Sequence, residues 1–157
     1  MEVLKKYGFW ILLIGVGLYW AYRKWPHEIQ IQEIQILKNN QPVPLTLHGD
    51  SALIVHYFAS WCGPCMKELP EWKNHLQELR AAGFQVVCIT DDSPEIIQRI
   101  QDNIAIPISQ TESLNALHVF SIPMTYIYNR NGEQVQRLEG PLDWSHPQLI
   151  QELSKLK

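Results

Sequence analysis

Cys62 and Cys65 stand three residues apart where the chain changes its period, and that junction constrains the fold more than any other feature. Upstream, Ala52-Leu-Ile-Val-His-Tyr-Phe58 is an unbroken apolar run of strand length, as expected for a strand buried on both faces. From Cys62 onward the apolar residues Met66, Leu69, Trp72, Leu76 and Leu79 recur every three or four positions up to Gly83. Pro70 falls inside that predicted helix and is expected to kink it. Phe84 to Thr90 is a second apolar run, so the order is strand, helix, strand. Such a unit implies a right-handed crossover and a parallel pair.

The spacing carries chemistry. The first cysteine falls at a helix N-terminus, where unpaired amide N–H groups and the helix dipole favour a thiolate. The second lies one turn further on, within reach of any mixed disulfide formed by the first. Gly63 and Pro64 between them suit the first turn of a helix, where proline is tolerated. Cys62 is therefore the expected nucleophile and Cys65 the resolving thiol. Metal binding is the competing chemistry. A structural zinc site needs two further ligands, but Cys88 sits within a predicted strand and the six histidines show no H-x3–5-H spacing. Copper(I) held by the same two thiolates is chemically reasonable and stays open as an alternative.

The rest of the chain supplies the other layers. Ile29, Ile31, Ile34 and Ile36 alternate with Gln and Glu, with one irregularity near Glu33, and Val43, Leu45 and Leu47 alternate again after Asn39-Asn40. This predicts a strand pair leading into the domain. Ser93-Pro94-Glu95 starts a helix to about Asn103, with a capping hydroxyl, a first-turn proline and an acid at the positive end. A short segment Ile104–Ser109 and a short helix near Glu112–Val119 follow. Met124–Tyr128 and Glu133–Leu138 flank Asn129-Arg-Asn-Gly132 as a hairpin, and Ser145–Leu156 reads as a closing amphipathic helix. The expected fold is α/β, a central mixed sheet flanked by helices.

Ahead of this domain, Tyr7 to Tyr22 holds no charged residue and is bracketed by Lys5-Lys6 and Arg23-Lys24. As a helix it spans about 24 Å, somewhat less than a hydrocarbon core of about 30 Å, a deficit that snorkelling Lys and Arg and interfacial Tyr and Trp bridge. A cleaved signal would need small residues where Leu18-Tyr-Trp-Ala-Tyr22 stands, and a buried core helix would waste the basic pairs. The reading is an uncleaved transmembrane anchor over residues 1–25 and one domain over 26–157. Balanced basic pairs leave its orientation undecided by charge. Beyond Trp25 there are 9 Lys/Arg against 15 Asp/Glu, without a basic run, which excludes a phosphate-backbone footprint.

Phe58-Ala-Ser-Trp-Cys-Gly-Pro-Cys-Met-Lys-Glu-Leu-Pro70 resembles the active-site segment of the thioredoxin superfamily, and most closely its membrane-tethered TlpA-like branch, which includes ResA. The resemblance runs from about Ile36 to the C-terminus. Ser121-Ile-Pro-Met-Thr125 falls where that family places a cis-proline beside the disulfide, and Ser93–Val119 resembles the branch's insertion. By that resemblance Ile122 and Pro123 present backbone to an extended substrate, and Trp61, Gly63 and Pro64 line its approach. Glu68, one helical turn past Cys65, matches the acid that moves a proton to or from the second cysteine; an exposed carboxylate paired with Lys67 is the alternative. His56 departs from the family, standing where thioredoxins carry a buried acid; it reads as a packed core residue with one hydrogen bond, and a ring that titrates near neutrality and tunes the thiols is the alternative. Cys88 reads as a buried structural thiol, and Asp91-Asp92 as capping and solvated charge.

The resemblance implies a thiol–disulfide oxidoreductase with no cofactor. Gly63-Pro64 and Ile122 resemble reducing members; a disulfide-forming oxidase, a thiol copper-handling protein and a peroxidase are the rivals. The peroxidase reading is weak because Ala59 stands where a Thr-x-x-Cys pattern would require threonine. A reductase outside the cytoplasm would draw electrons from a membrane thiol carrier of the DsbD or CcdA kind. That places it as a single-pass protein of the bacterial cytoplasmic membrane, Met1 inside and the domain facing the periplasm or outside. Cytochrome c maturation and thiol protection under copper or oxidative stress are alternative substrate settings.

Overall fold

The computed structural model describes residues 13–19 and 28–157. Of the expected anchor, 13–19 are helical; the remainder, with the boundary at Trp25-Pro26, lies outside the described residues. Among the described residues no helix is long and apolar enough to cross a membrane.

The apolar run becomes β3 (Ala52–Tyr57), every residue of it buried. It lies at the centre of a five-stranded sheet in the order β5-β4-β3-β6-β7, formed by β4 (Phe84–Thr90), β5 (Ile108–Gln110), β6 (Met124–Tyr128) and β7 (Gln134–Glu139). β3, β4 and β5 are parallel, whereas β6 and β7 join antiparallel. This is the mixed sheet expected. The register on β3 decides the site, since pairing Tyr57 with Met124 brings the start of β6 beside the C-terminal end of β3. Residues about sixty apart in sequence thereby meet at one sheet end.

Helix α1 (Gly63–Ala81) returns across one face, burying Leu69, Trp72, Leu76 and Leu79 against Ala52, Ile54, Phe84 and Val86. Burial of each such large side chain contributes about 1.5–3 kcal/mol. Pro70 lies within this helix. The opposite face of the sheet carries Leu53, Val55, Tyr57, Tyr126 and Tyr128, covered by Ile29, Ile31, Ile34, Leu114 and Leu117. α2 (Pro94–Asn103) turns Ile97 and Ile100 inward, and α3 (Leu149–Ser154) buries Leu153.

Three boundaries differ from the sequence expectation. The N-terminal strand pair is short, β1 (Gln35–Lys38) with β2 (Gln41–Pro44), and Ile31–Glu33 is a 3-10 turn. At three residues per turn, Ile31 and Ile34 fall on one face and both are buried, which is why alternation breaks at Glu33. The hairpin itself turns on Asn39 and Asn40, both at positive φ, as a two-residue turn requires. The predicted helix near Glu112–Val119 contracts to a 3-10 turn over Asn115–Leu117, ended by His118 in the left-handed region. The closing helix begins at Leu149 rather than Ser145, because Pro147 disfavours a helical His146 and Asp143 Oδ1 takes the N–H and Oγ of Ser145 into a turn.

Candidate active site

The site forms where β3 hands over to α1. Phe58 N–H still donates to Ile89 O, and Cys62 N–H then donates to Ala59 O, closing a turn that leaves Cys62 as the N-cap of α1. Pro64 occupies the first turn, where its missing N–H costs nothing. A Cβ at Gly63 would meet nothing within 4 Å, so this face of the dipeptide is open.

Cys62 and Cys65 are joined as a disulfide, with Cα atoms 5.2 Å apart. The two sulfurs are not equivalent. Cys65 is fully buried, whereas Cys62 keeps 6% of its surface and receives the Cys65 N–H at 3.3 Å. The outward side of Cys62 faces the Ile122 carbonyl oxygen at 3.8 Å, and the Ile122–Pro123 bond is cis. Trp61 stands exposed beside it. Phe120, two residues before Ile122, is equally exposed and was not singled out by any sequence pattern.

Glu68 is buried, not paired with Lys67. Its Oε1 accepts from Leu142 N–H at 3.0 Å, Trp72 Nε1 at 3.1 Å and Trp144 Nε1 at 3.4 Å. Burial pushes its carboxyl above the usual range, and these three donors oppose the shift without cancelling it. A cleft of about 650 Å³, lined by Gly63, Pro64, Lys67, Glu68, Leu142 and Trp144 among others, connects this carboxyl with the surface beside the dithiol. The Leu142–Trp144 strap after β7 left no sequence signal, because its donors act from 74 and 76 residues away.

His56 is fully buried on the α1 side of β3. Its Nδ1 lies 3.0 Å from Thr125 Oγ1, its register partner on β6, and its ring packs 4.7 Å from Trp72. Desolvation lowers its pKa to about 3, so the ring is neutral. Cys88, paired with His56 across β4, is a buried free thiol whose pKa is pushed up first by burial and then by Glu68.

Asp92 corrects the expectation of solvated charge. It is buried, with Oδ2 accepting from Ser60 N–H at 2.7 Å and Thr90 Oγ1 at 2.8 Å, and Oδ1 accepting from Ser60 Oγ at 2.7 Å. Asp91 instead takes the Leu114 N–H. The turn that carries Trp61 and Cys62 is therefore tied to the end of β4.

Dithiols held between a central strand and a helix N-terminus on such a sheet characterise the thioredoxin-like class of proteins. Within that class the chain belongs to the AhpC/TSA family, whose model matches residues 30–140. It is 26% identical over 98 residues to sporulation thiol-disulfide oxidoreductase A of Bacillus subtilis, covering 57% of this chain and 59% of that one. Over 121 residues it is 23% identical to the thiol-disulfide oxidoreductase ResA of Oceanobacillus iheyensis, covering 73% and 63%. The chain thus spans about three fifths of the length of the curated relatives it matches. Among solved structures, StoA from Bacillus subtilis superimposes with a TM-score of 0.57 at 20% identity, covering 80% of this chain and 96% of that one. A thioredoxin family thiol:disulfide interchange protein from Chlorobium tepidum gives 0.62 at 18%, covering 82% and 97%. Both likenesses concern the fold.

Proposed function

We propose that the protein is a thiol–disulfide oxidoreductase that reduces protein disulfides on the outer side of a bacterial cytoplasmic membrane. The observation that carries this is the asymmetry of the dithiol. One sulfur is presented beside the Ile122 carbonyl, and the other is sealed beneath it.

The Cys62 thiolate attacks a client disulfide, forming a Cys62–client bond and releasing one client thiolate. The Cys65 thiol gives its proton to the Glu68 carboxylate, and its sulfur then attacks Cys62 Sγ. The Cys62–Cys65 disulfide forms and the second client thiolate leaves. Two electrons pass from the protein to the client, and the oxidised pair is the state in this structure. Trp61, Gly63, Pro64, Ile122 and Pro123 form the client-facing rim. Ala59 at the Thr-x-x-Cys position brings no hydroxyl, which favours disulfide over peroxide as substrate.

The uncharged stretch Tyr7–Tyr22 between two basic pairs supports a single membrane anchor, and the resemblance to the tethered branch supports an outward-facing domain. Its electrons would then come from a membrane thiol carrier of the DsbD or CcdA kind. The deciding measurement is the reduction potential of the pair, equilibrated against glutathione or dithiothreitol. A value near or below roughly −230 mV makes the protein a reductant in an oxidising compartment, and a value above roughly −150 mV makes it a disulfide donor and sinks the direction proposed.

A further inference from the structure

Among the described residues, four buried side-chain polar atoms have no hydrogen-bond partner. Two of them, His56 Nε2 and Glu68 Oε2, face each other at 4.0 Å, a gap that a small side-chain shift closes to a hydrogen bond. Unsatisfied polar atoms in a core are costly, and these two, left in mutual view, complement each other. The remaining atoms of both groups are fixed. His56 Nδ1 is engaged with Thr125 Oγ1, and Glu68 Oε1 holds three N–H donors.

We infer that His56 and Glu68 form a one-proton unit beneath the dithiol, in which the tautomer of the imidazole follows the protonation of the carboxyl. His56 is on this account a positioning residue for Glu68. With the carboxylate, the ring proton sits on Nε2 and points at Oε2, while Thr125 Oγ1–H donates to Nδ1. With the carboxylic acid, the carboxyl O–H points at a bare Nε2, the ring proton sits on Nδ1 and Thr125 Oγ1 accepts it. The unit gains one proton between the two states, and one proton changes place on the ring. Threonine suits this position because its hydroxyl donates or accepts by rotating.

The arrangement explains a buried histidine where a plain carboxyl or an apolar residue would also fit. A second acid beside Glu68 would place two like charges in the core, and an apolar residue would leave Oε2 without a partner in either state. A neutral imidazole serves both states without adding charge. The surrounding titratable groups leave this pair as the one that exchanges protons there. Cys88 on β4 is held as a neutral thiol, Cys65 on α1 is the proton's source, and Lys67 and Glu71 are exposed at the mouth of the cleft. β6 contributes only Thr125, and the strap contributes the Leu142 N–H and the Trp144 ring.

This inference rests on Glu68 serving as the proton acceptor for Cys65, and its test is separable from that reading. Long-range nitrogen–proton NMR of the full chain in detergent micelles, labelled at histidine nitrogens and carboxyl carbons, reads the ring tautomer and the carboxyl together. The expected result is a neutral His56 throughout, with Nε2–H above the Glu68 midpoint and Nδ1–H below it. A ring tautomer that stays fixed while the carboxyl titrates, or a doubly protonated ring, overturns the inference. Two variants add a functional readout. H56N keeps a polar atom toward Thr125 but loses the one facing Glu68, and H56Q does the reverse. Because a hydrogen bond to the charged form is the stronger, H56N should raise the midpoint of the exchange pH profile by about one unit and H56Q by much less. Equal midpoints in both variants, with only thermal stability changed, would reduce His56 to a packing residue. If the tautomer switches but E68Q leaves the exchange profile unaltered, the paired unit stands and the catalytic reading of Glu68 falls.

Discussion

Asp92 holds Ser60 by two hydrogen bonds of 2.7 Å, one to its N–H and one to its Oγ, across 32 residues of sequence. Ser60 lies two residues before Cys62, so this contact ties the turn that carries that cysteine to the end of β4.

Replacing Asp92 with alanine should therefore cost more than its charge suggests. The change removes the acceptor of the buried Thr90 hydroxyl, at about 1–3 kcal/mol, and that of the part-buried Ser60 N–H and hydroxyl, which water can partly replace. Urea unfolding should show a loss of at least about 2 kcal/mol, whereas Ser60→Ala, which keeps the N–H bond, should lose about 1 kcal/mol. Insulin reduction should slow in the first variant before it unfolds. An Asp92→Ala protein of unchanged stability and rate would show that the turn is held by other contacts.

On the proposed function, the unequal burial of Cys62 and Cys65 sets an order of reaction. In the reduced protein iodoacetamide should modify Cys62 alone, and Cys65→Ser should accumulate a mixed disulfide with client that Cys62→Ser never forms. Cys88, buried and with its thiol pushed above the usual range, should stay unreactive until the chain is unfolded. Cys88→Ala should retain exchange and lose about 1 kcal/mol for the small cavity. Mass spectrometry of the adducts decides all of these, and alkylation at Cys65 ahead of Cys62 would reverse the assigned roles.

Glu68 gives the protein a signed dependence on pH. Its carboxyl is raised in the folded state, so folding favours the protonated form. The stability it contributes is complete below the ordinary carboxylate pKa and is lost as pH rises through the raised value. Glu68→Gln cannot ionise. Its melting temperature relative to the natural protein should therefore improve as pH rises across that window, and become level beyond it. At the same time its mixed disulfide should resolve more slowly near neutrality, by about 100-fold or more where proton transfer limits that step. A melting difference independent of pH would contradict the raised carboxyl.

What was legible in the sequence was local. The change of period at Cys62, the Asn39-Asn40 turn and the Ser93-Pro94 helix start each rest on neighbours in the chain, and each stands in the structure, although the Ser93 hydroxyl makes no capping hydrogen bond to the helix backbone. Ile29 and Ile31 misled because a 3-10 turn and a strand can bury the same isoleucines with different spacings. The contacts that finish the site were out of reach. Thr125 meets His56 only through the β3–β6 register, Asp92 meets Ser60 only because β4 runs parallel to β3, and the strap meets Glu68 from beyond the last strand. Asp91-Asp92 looked like any acidic pair before a helix. Nothing local distinguishes the one that turns inward.

Cys62 keeps only a small part of its surface exposed, with its sulfur beside a backbone carbonyl and the exposed Trp61 next to it in the chain. On the proposed function a client disulfide has to be brought to that sulfur, which a cystine on a slack or half-made chain does more readily than one locked inside a rigid sheet.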